Sequence, residues 1–129
     1  MYRILKSCIR TGVLTEAKPT LDDADLEAAG AALQREIDAR FKRSLAIRQV
    51  DAGSCNGCEL EVHALNNAYY DVARFGVHFV ASPRHADALL VTGPVSRHME
   101  TALRRTWRAT PGPKLVFAAG ACAYRHRWL

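Results

Sequence analysis

Residues 45–58 read LAIRQVDAGSCNGC, a short β-prone run that ends in a loop carrying two cysteines. The apolar positions of LAIRQV predict a strand, and Asp51 and Gly53 belong to residue types that end strands in turns. Cys58 begins a stretch of helical periodicity that extends to Tyr70. A strand, a cysteine-bearing turn and a helix therefore follow one another in this part of the chain.

The same alternation continues through the rest of the chain. Further β-prone runs are GVHFVA (76–81), ADALLV (86–91) and KLVFAA (114–119). Helices are predicted over residues 20–43, with Thr20 as N-cap, and from the N-cap Ser96 to the stop at residues 110–113. Continuous apolar strands are typical of parallel sheets that are buried on both faces. We therefore predict an α/β fold: a mainly parallel sheet with helices on both faces, preceded by an N-terminal helical segment.

Composition excludes several classes of protein. The chain has 129 residues, of which 49% are hydrophobic and 24% charged, which suits one domain with its own core. No apolar run approaches the roughly 18 residues of a membrane span, and the first 30 residues lack the apolar centre of a signal peptide. These features predict a soluble, cytoplasmic chain with no direct membrane span.

Positive charge is concentrated near the end of the chain. Residues 97–129 carry seven Lys and Arg residues and a single acid, Glu100. In the predicted helix after Ser96 a basic stripe is formed by Arg97, Arg104, Arg105 and Arg108. Neither a nucleic-acid-binding motif nor interleaved aromatic residues accompany this stripe. We therefore expect no nucleic-acid partner, and we interpret the stripe as a solvated or subunit-facing surface.

The C-x-x-C motif of Cys55 and Cys58 is the clearest candidate for chemistry. A tight turn at this spacing points both sulfurs in the same direction, and the helix N-terminal amides can offset negative charge there. An iron–sulfur cluster, a zinc site, a thioredoxin-type redox pair and a structural role remain open for such a pair. The third cysteine, Cys122, follows the last predicted strand, and no His-x-x-x-His pair accompanies the thiols, which favours iron–sulfur over zinc.

Topology predicts where these cysteines lie. The working loops of a parallel sheet occupy the carboxyl ends of its strands, and here these loops read DAGSCNGC, TGPVS and GACA. We therefore expect Cys55, Cys58 and Cys122 to converge at one edge, whereas Cys8 is expected to be a separate thiol. Glu59, directly after Cys58, is either a residue that favours the helix dipole or a proton-carrying group beside a redox centre.

A resemblance to a known family sharpens this interpretation. The stretch DAGSCNGCELEVHALNNAYYDVARFGVHFVASPRHADALLVTGPVS, together with KLVFAAGACA, resembles the B-type subunit family of complex I. That family includes the small subunits of energy-converting nickel–iron hydrogenases and of formate hydrogenlyase. The separated cysteines of SCNGCE and the leading RILKSCIRTGVLTE are similar to the hydrogenase members, since complex I proteins generally carry adjacent cysteines. The resemblance covers about residues 1–123.

The resemblance implies a flavodoxin-like fold that holds one [4Fe–4S] cluster against a large subunit. Matched to the family motifs, Cys55, Cys58 and Cys122 are three cluster ligands, with sulfurs roughly 6–7 Å apart. Glu59 matches the acidic residue that follows the second ligand. The remaining implied site residues are Gly93 and Pro94, in the T-G-P loop beside the cluster.

Two departures from the family affect the end of the chain. Ala121 stands where the family usually has Asp. After Ala123 the family continues with a glycine-rich segment and a Pro-Gly-Cys-Pro-Pro motif that holds the fourth ligand, whereas this chain ends in a basic, aromatic tail. The expected organisation is an N-terminal extension and helix (1–44), an incomplete α/β iron–sulfur domain (45–123) and an atypical tail (124–129) that suggests truncation.

The implied function is electron transfer within a membrane-associated complex of the nickel–iron hydrogenase or NADH:quinone oxidoreductase type, with no complete active site on this chain. Implied partners are the large subunit, a ferredoxin-like iron–sulfur subunit and the membrane subunits, at the inner face of the plasma membrane. Hydrogen chemistry is favoured over quinone binding and reduction by the SCNGCE pattern. The alternatives are a cluster-free α/β interaction module and a dithiol redox protein that uses Cys55 and Cys58.

Overall fold

The computed structural model describes residues 23–125, together with Lys6, Ile9 and Arg10, which have helical backbone. Within residues 23–125, strands and helices alternate along the chain. In chain order the elements are α1 (Asp23–Phe41), β1 (Leu45–Asp51), α2 (Gly57–Leu65), β2 (Val77–Phe79), β3 (Ala88–Thr92), α3 (Arg97–Ala109), β4 (Leu115–Ala119) and α4 (Gly120–Arg125). Short 3₁₀ turns at Val72–Phe75 and Pro83–His85 precede β2 and β3.

The four strands form one parallel sheet in the order β2-β1-β3-β4. This confirms the predicted parallel α/β fold, and each strand lies where an apolar run predicted it. The order matches the first four positions of the flavodoxin-like arrangement 2-1-3-4-5. In that arrangement β2 lies on one side of β1, and the chain then returns past β1 to place β3 on its other side. The loops that follow β1 and β3 therefore lie side by side.

Helices cover both faces of the central strands, as predicted. On one face, Ile37 of α1 packs against Leu45, Ile47, Val77 and Ala88. On the opposite face, the α3 side chains Met99 and Leu103 pack against a second buried cluster, formed by Val50, Ala52, Leu89 and Val91. Because side chains alternate along a strand, β3 supplies Ala88 to one cluster and Leu89 to the other.

The connection from α1 to the sheet is held by a buried acid. The Arg43 guanidinium donates two hydrogen bonds to the Asp87 carboxylate, at 2.9 and 2.6 Å. Asp87 is buried and also accepts a hydrogen bond from the Ala46 backbone N–H at 3.0 Å. This paired carboxylate ties the start of β1 to the residue that precedes β3.

The helix that begins at the C-x-x-C motif is shorter than predicted. It ends at Leu65, whereas its periodicity extended to Tyr70. Asn67 explains the difference, because its side-chain oxygen accepts hydrogen bonds from the backbone N–H groups of Tyr69 and Tyr70, both at 2.9 Å. Asparagine side chains compete in this way with the helical backbone pattern.

The expectation that every apolar strand is buried on both faces is wrong for β4. Leu115, Val116 and Phe117 are exposed, although their letters predicted an interior strand. β4 lies at the edge of the sheet, and neither of the two buried clusters of the described residues includes a β4 side chain.

In the part of the chain that the structure describes, no helix is both long and apolar enough to cross a membrane.

Candidate functional site

The loops after β1 and β3 meet at the carboxyl edge of the sheet. The Ala52 N–H donates to the Thr92 carbonyl at 3.0 Å, and the Ser96 N–H donates to the Ala52 carbonyl at 2.8 Å. Gly93, with φ 73°, makes the close approach possible, since a Cβ there would lie 2.5 Å from the Ser54 Cα. The predicted T-G-P loop therefore packs directly against the loop that carries the cysteines.

Asp51 shapes the first part of the cysteine loop. Its Oδ1 accepts hydrogen bonds from the backbone N–H groups of Gly53 and Ser54, both at 2.8 Å. These bonds favour the charged form, so the pKa of Asp51 lies below its ordinary value, with the Ser54 N–H as the largest cause and the Gly53 N–H as the second. The Asp51 side chain thus stabilises a tight turn over residues 51–54, directly before the C-x-x-C motif.

The C-x-x-C turn is built on a left-handed residue. Asn56, with φ 70°, precedes the first residue of α2, and its N–H donates to the Ser54 hydroxyl at 3.2 Å. Asparagine tolerates this conformation better than most residues. Cys55 lies before the turn and is exposed, whereas Cys58 lies in the first turn of α2 and is half-buried; both are free thiols. The free N–H groups of a helix N-terminus favour negative charge there, such as that of a thiolate.

Cys58 also contacts the junction between β4 and α4. Its thiol donates a long hydrogen bond to the Ala119 carbonyl oxygen at 3.9 Å. A Cβ at Gly120, which has φ 81°, would lie 2.8 Å from the Cys58 sulfur. The end of β4 and the beginning of α4 are therefore held against one sulfur of the C-x-x-C pair, at the carboxyl edge of the sheet.

Cys122 lies two residues beyond this contact. It is on α4 and is exposed. Among residues 23–125 and the described N-terminal residues, no three Cys, His, Asp or Glu side chains form a group that could hold a metal ion. The structure thus brings Cys58 of the C-x-x-C pair to the beginning of α4, the helix that carries Cys122, but does not assemble a set of three ligands. The sulfur separations remain a prediction, and Cys8 lies outside the described residues.

Glu59 is buried beside this loop cluster, with 8% of its surface exposed. Neither carboxylate oxygen has a hydrogen-bond partner among the described residues. The pKa of Glu59 is nevertheless lowered, first by the Thr92 side chain and then by the Ser54 side chain, against desolvation, which raises it. We attribute the lowering to nearby hydroxyl dipoles rather than to formed hydrogen bonds, because the Thr92 hydroxyl donates to the Val50 carbonyl at 3.4 Å.

Three of the residues that shape this edge were not assigned such a role from the sequence. Threonine and asparagine are residue types that commonly lie at protein surfaces. The sequence around Thr92 and Asn56 therefore gave no signal of a role at this edge. Gly120 offered a signal, because a glycine between an apolar strand and a cysteine often marks a close backbone approach. The five residues Cys55, Cys58, Glu59, Gly93 and Pro94 lie on the two neighbouring loops or on the start of α2, where the sequence placed them.

The chain is similar to subunits of several respiratory and hydrogenase complexes. It is 44% identical over 92 residues to formate hydrogenlyase subunit 7 of Escherichia coli (strain K12), covering 71% of this chain and 36% of that protein. It is 50% identical over 80 residues to the probable membrane-bound hydrogenase subunit mbhJ of Pyrococcus furiosus, covering 62% of this chain and 48% of that protein. The chain thus spans from about a third to half the length of these relatives.

A solved structure and a family profile agree with these similarities. A chain of the membrane-bound sulfane sulfur reductase, an archaeal respiratory membrane complex, superposes with a TM-score of 0.54 at 37% identity, over 69% of this chain and 48% of that one. The profile of the family described as NADH ubiquinone oxidoreductase, 20 Kd subunit, matches residues 55–125, which include the C-x-x-C pair, the T-G-P loop and Cys122. Because this match covers more than half of the chain, the protein belongs to the NADH ubiquinone oxidoreductase 20 Kd subunit family.

Proposed function

We propose that this chain is an iron–sulfur electron-transfer subunit of a membrane-associated oxidoreductase complex, and that Cys55, Cys58 and Cys122 bind a [4Fe–4S] cluster. The observation that carries the proposal is the contact between the Cys58 sulfur and the β4–α4 junction, where a Cβ at Gly120 would come within 2.8 Å. This contact holds the beginning of α4, the helix that carries Cys122, against the C-x-x-C turn. It supports the proposal because Cys58 and Cys122 are 64 positions apart in sequence.

The donor set fits an iron–sulfur cluster in its chemistry. Thiolates are the ligands of such clusters, and the three candidate donors are all cysteines, although among the described residues they do not form a group that could hold a metal ion. The three motif cysteines supply three of the four corners of a [4Fe–4S] cube, so one iron is left for another ligand. When bound, the cluster supplies one-electron transfer at a potential that the surrounding protein sets.

The chain's own residues have supporting roles in this proposal. Gly53 and Gly93 allow the two loops to pack without side chains between them. The free N–H groups at the start of α2 would offset the negative charge of a bound cluster. Glu59 keeps a buried carboxylate next to the loop that carries Gly93 and Pro94. These residues hold and shape the site, whereas substrate chemistry belongs to a partner protein of the complex.

The names of the relatives support a proposal for the partners and the location. Two of them are named as subunits of formate hydrogenlyase and of a probable membrane-bound hydrogenase, and another is named as a subunit of NADH-quinone oxidoreductase. We therefore propose docking to a large subunit that carries the substrate site, with a ferredoxin-like subunit and membrane subunits in the same complex. The separated cysteine pair favours hydrogen chemistry over quinone reduction. The chain would then lie peripherally on the inner face of the plasma membrane.

Anaerobic reconstitution of the full chain tests the cluster. We expect about three to four irons per chain with matching sulfide, and electron paramagnetic resonance signals of a [4Fe–4S] cluster with one open iron or of a [3Fe–4S] form. Cys55→Ser, Cys58→Ser and Cys122→Ser should each lower the iron content strongly. Cys8→Ser is the matched control and should leave it unchanged.

Each other outcome overturns a definite part of the proposal. No bound iron, with a reversible dithiol–disulfide couple at Cys55 and Cys58, would identify a dithiol redox protein. No bound iron and no dithiol–disulfide couple would favour the cluster-free α/β interaction module. Normal iron in Cys122→Ser would remove Cys122 from the ligand set, and loss of iron in Cys8→Ser would make Cys8 the fourth ligand.

A further inference from the structure

The side of helix α3 that points away from the sheet is strongly basic. Met99 and Leu103 pack inward, against the buried cluster on that side of the sheet. At 100° per residue, Arg97, Arg105 and Arg108 project from the opposite side of the helix, and all three are exposed. These three arginines form the basic face of α3.

The part of the chain around α3 holds few acids that could neutralise this charge. Residues 77–125, which include α3 and the two strands that it connects, contain two acids, Asp87 and Glu100. Asp87 is buried and paired with Arg43, and Glu100 is paired with Arg104 at 2.9 Å. The ion pairs found among the described residues include none for the basic face. Its charge is therefore not compensated by an ion pair within that part of the chain.

The placement of these cations is unfavourable for an isolated helix in two respects. Arg97 is the first residue of α3, where the positive end of the helix dipole disfavours a cation. Arg108 lies four residues after Arg104 and three after Arg105, which are spacings at which like charges on a helix repel one another. Local rules of this kind are broken most often at functional sites. We therefore expect the compensating negative charge to come from a ligand.

A neighbouring turn extends the basic face. The 3₁₀ turn Pro83–His85 lies against α3, and its Arg84 is exposed and has no ion pair among the residues described. The outer side of α3 carries Thr101 between its arginines and no large apolar side chain. Protein–protein interfaces are depleted of charge at their centre and depend on buried apolar or aromatic anchors. The basic face has neither feature, which disfavours a protein partner.

We propose that the basic face of α3 binds the anionic phospholipid headgroups of a membrane surface. The four arginines of α3 together with Arg84 give five cations, and clusters of about four to eight Lys or Arg residues on an amphipathic helix are typical of such binding. Guanidinium groups pair with phosphate oxygens through two hydrogen bonds, and a lipid surface requires no fitted pocket. The choice of a membrane rests on the peripheral location in the proposed function, but it requires neither the cysteines nor a cluster.

Extension of the sheet leaves the basic face uncovered. In layered α/β folds, further strands continue the sheet beyond its edge strand, and further helices pack on the sheet beside those already there. Both additions lie beside α3 and not over its outer side. Lipid headgroups therefore approach α3 from outside the domain, on the opposite side of the sheet from α1.

Vesicle flotation in a density gradient, with the full chain, tests the proposal. The probes are vesicles of phosphatidylcholine alone and vesicles that contain about one-third phosphatidylglycerol, and we expect roughly tenfold or stronger partitioning onto the anionic vesicles. Raising the salt concentration from about 0.05 to about 0.5 M should release the chain, because it shortens the range of charge interactions. Flotation separates bound chains from aggregates, which do not rise with the lipid.

A triple variant tests the residues. Arg97→Gln, Arg105→Gln and Arg108→Gln, combined in one chain, should lower partitioning onto the anionic vesicles roughly tenfold or more, because they remove three of the five cations. Circular dichroism checks that the fold is kept, which we expect since all three side chains are exposed.

The matched control removes three charges from the opposite side of the sheet. It combines Arg35→Gln, Arg40→Gln and Lys42→Gln, which are exposed positions on α1 or directly after it, and it should bind the anionic vesicles as the unchanged chain does. Equal binding to both kinds of vesicle, equal binding by the two triple variants, or release of the chain by an equal charge of poly-glutamate or duplex DNA would overturn the proposal. Iron content after reconstitution is a separate measurement, so failure here leaves the electron-transfer proposal untouched.

Discussion

Strands β3 and β4 lie side by side in register, have similar apolar sequences, and differ completely in their surroundings. The sequence of β3 is ALLVT and that of β4 is LVFAA. Ala88, Leu89 and Val91 are buried between α1 on one face and α3 on the other. Most residues of β4 are exposed, and Val116 reaches only the rim of α3. An apolar run therefore predicts a strand, but its neighbours in the sheet decide whether that strand is interior.

Strands β3 and β4 also differ in how the segments that follow them contact the candidate site at the carboxyl edge of the sheet. The loop after β3 is locked to the cysteine loop by Gly93 and by backbone hydrogen bonds through Ala52. Helix α4 directly follows β4, the least covered strand of the sheet, and contacts the same site through Gly120. The C-x-x-C pair therefore adjoins a loop that is hydrogen-bonded to the end of a buried strand, whereas Cys122 follows a strand that is largely exposed.

The largest expected effect compares two leucines in these strands. Leu89→Ala should reduce the free energy of unfolding by about 2–5 kcal/mol, because it leaves a cavity in a packed cluster. Leu115→Ala makes the same chemical change at an exposed site and should cost less than about 1 kcal/mol. Urea unfolding followed by circular dichroism measures both. Equal losses of stability in the two variants would mean that Leu115 is buried in solution. The contrast between a buried β3 and an exposed β4 would then be wrong.

Two glycines test the loops that flank these strands. Gly93→Ala, after β3, would place a Cβ 2.5 Å from the Ser54 Cα at a positive φ of 73°. We expect a loss of about 2–4 kcal/mol in stability from strain and overpacking. Gly112→Ala, before β4, meets no atom within 4 Å and should change stability by no more than about 0.5 kcal/mol. Thermal unfolding compares the pair; a harmless Gly93→Ala would show that the two loops can separate.

The smallest expected effect concerns pH and the loop after β1. The pKa of Asp51 is lowered in the folded chain, so its contribution to stability is complete above its unfolded value of about 3.9 and is lost as the pH falls through the folded value. Asp51→Asn should therefore flatten the dependence of stability on pH below about pH 5. The control Ser54→Ala keeps the two backbone N–H donors and should retain most of the slope. An unchanged slope in Asp51→Asn would assign the acid sensitivity to other carboxylates.

Much of the fold and part of the site could be predicted from the sequence. Apolar runs and turn residues located all four strands, and strand-end logic brought the loops of Cys58 and Gly93 together. The predicted helix, which extended to Tyr70, was too long because the Asn67 side chain accepts hydrogen bonds from nearby backbone N–H groups. The spacing of apolar residues carries no information about such bonds. The roles of Thr92 and Asn56 were not predicted, since their effects depend on neighbours that are distant in sequence or on backbone conformation.

The sequence by itself determined the alternation of strands and helices, the spacing of Cys55 and Cys58, and the motifs that identify the family, because these depend on residues near one another in the chain. Tertiary structure alone decided that Glu59 is buried without a hydrogen-bond partner among the described residues, that Gly120 lies against the Cys58 sulfur, and that β4 is an uncovered edge. Burial and contact depend on what lies across the sheet, and strand order, which sets those neighbours, is fixed only when the whole chain folds.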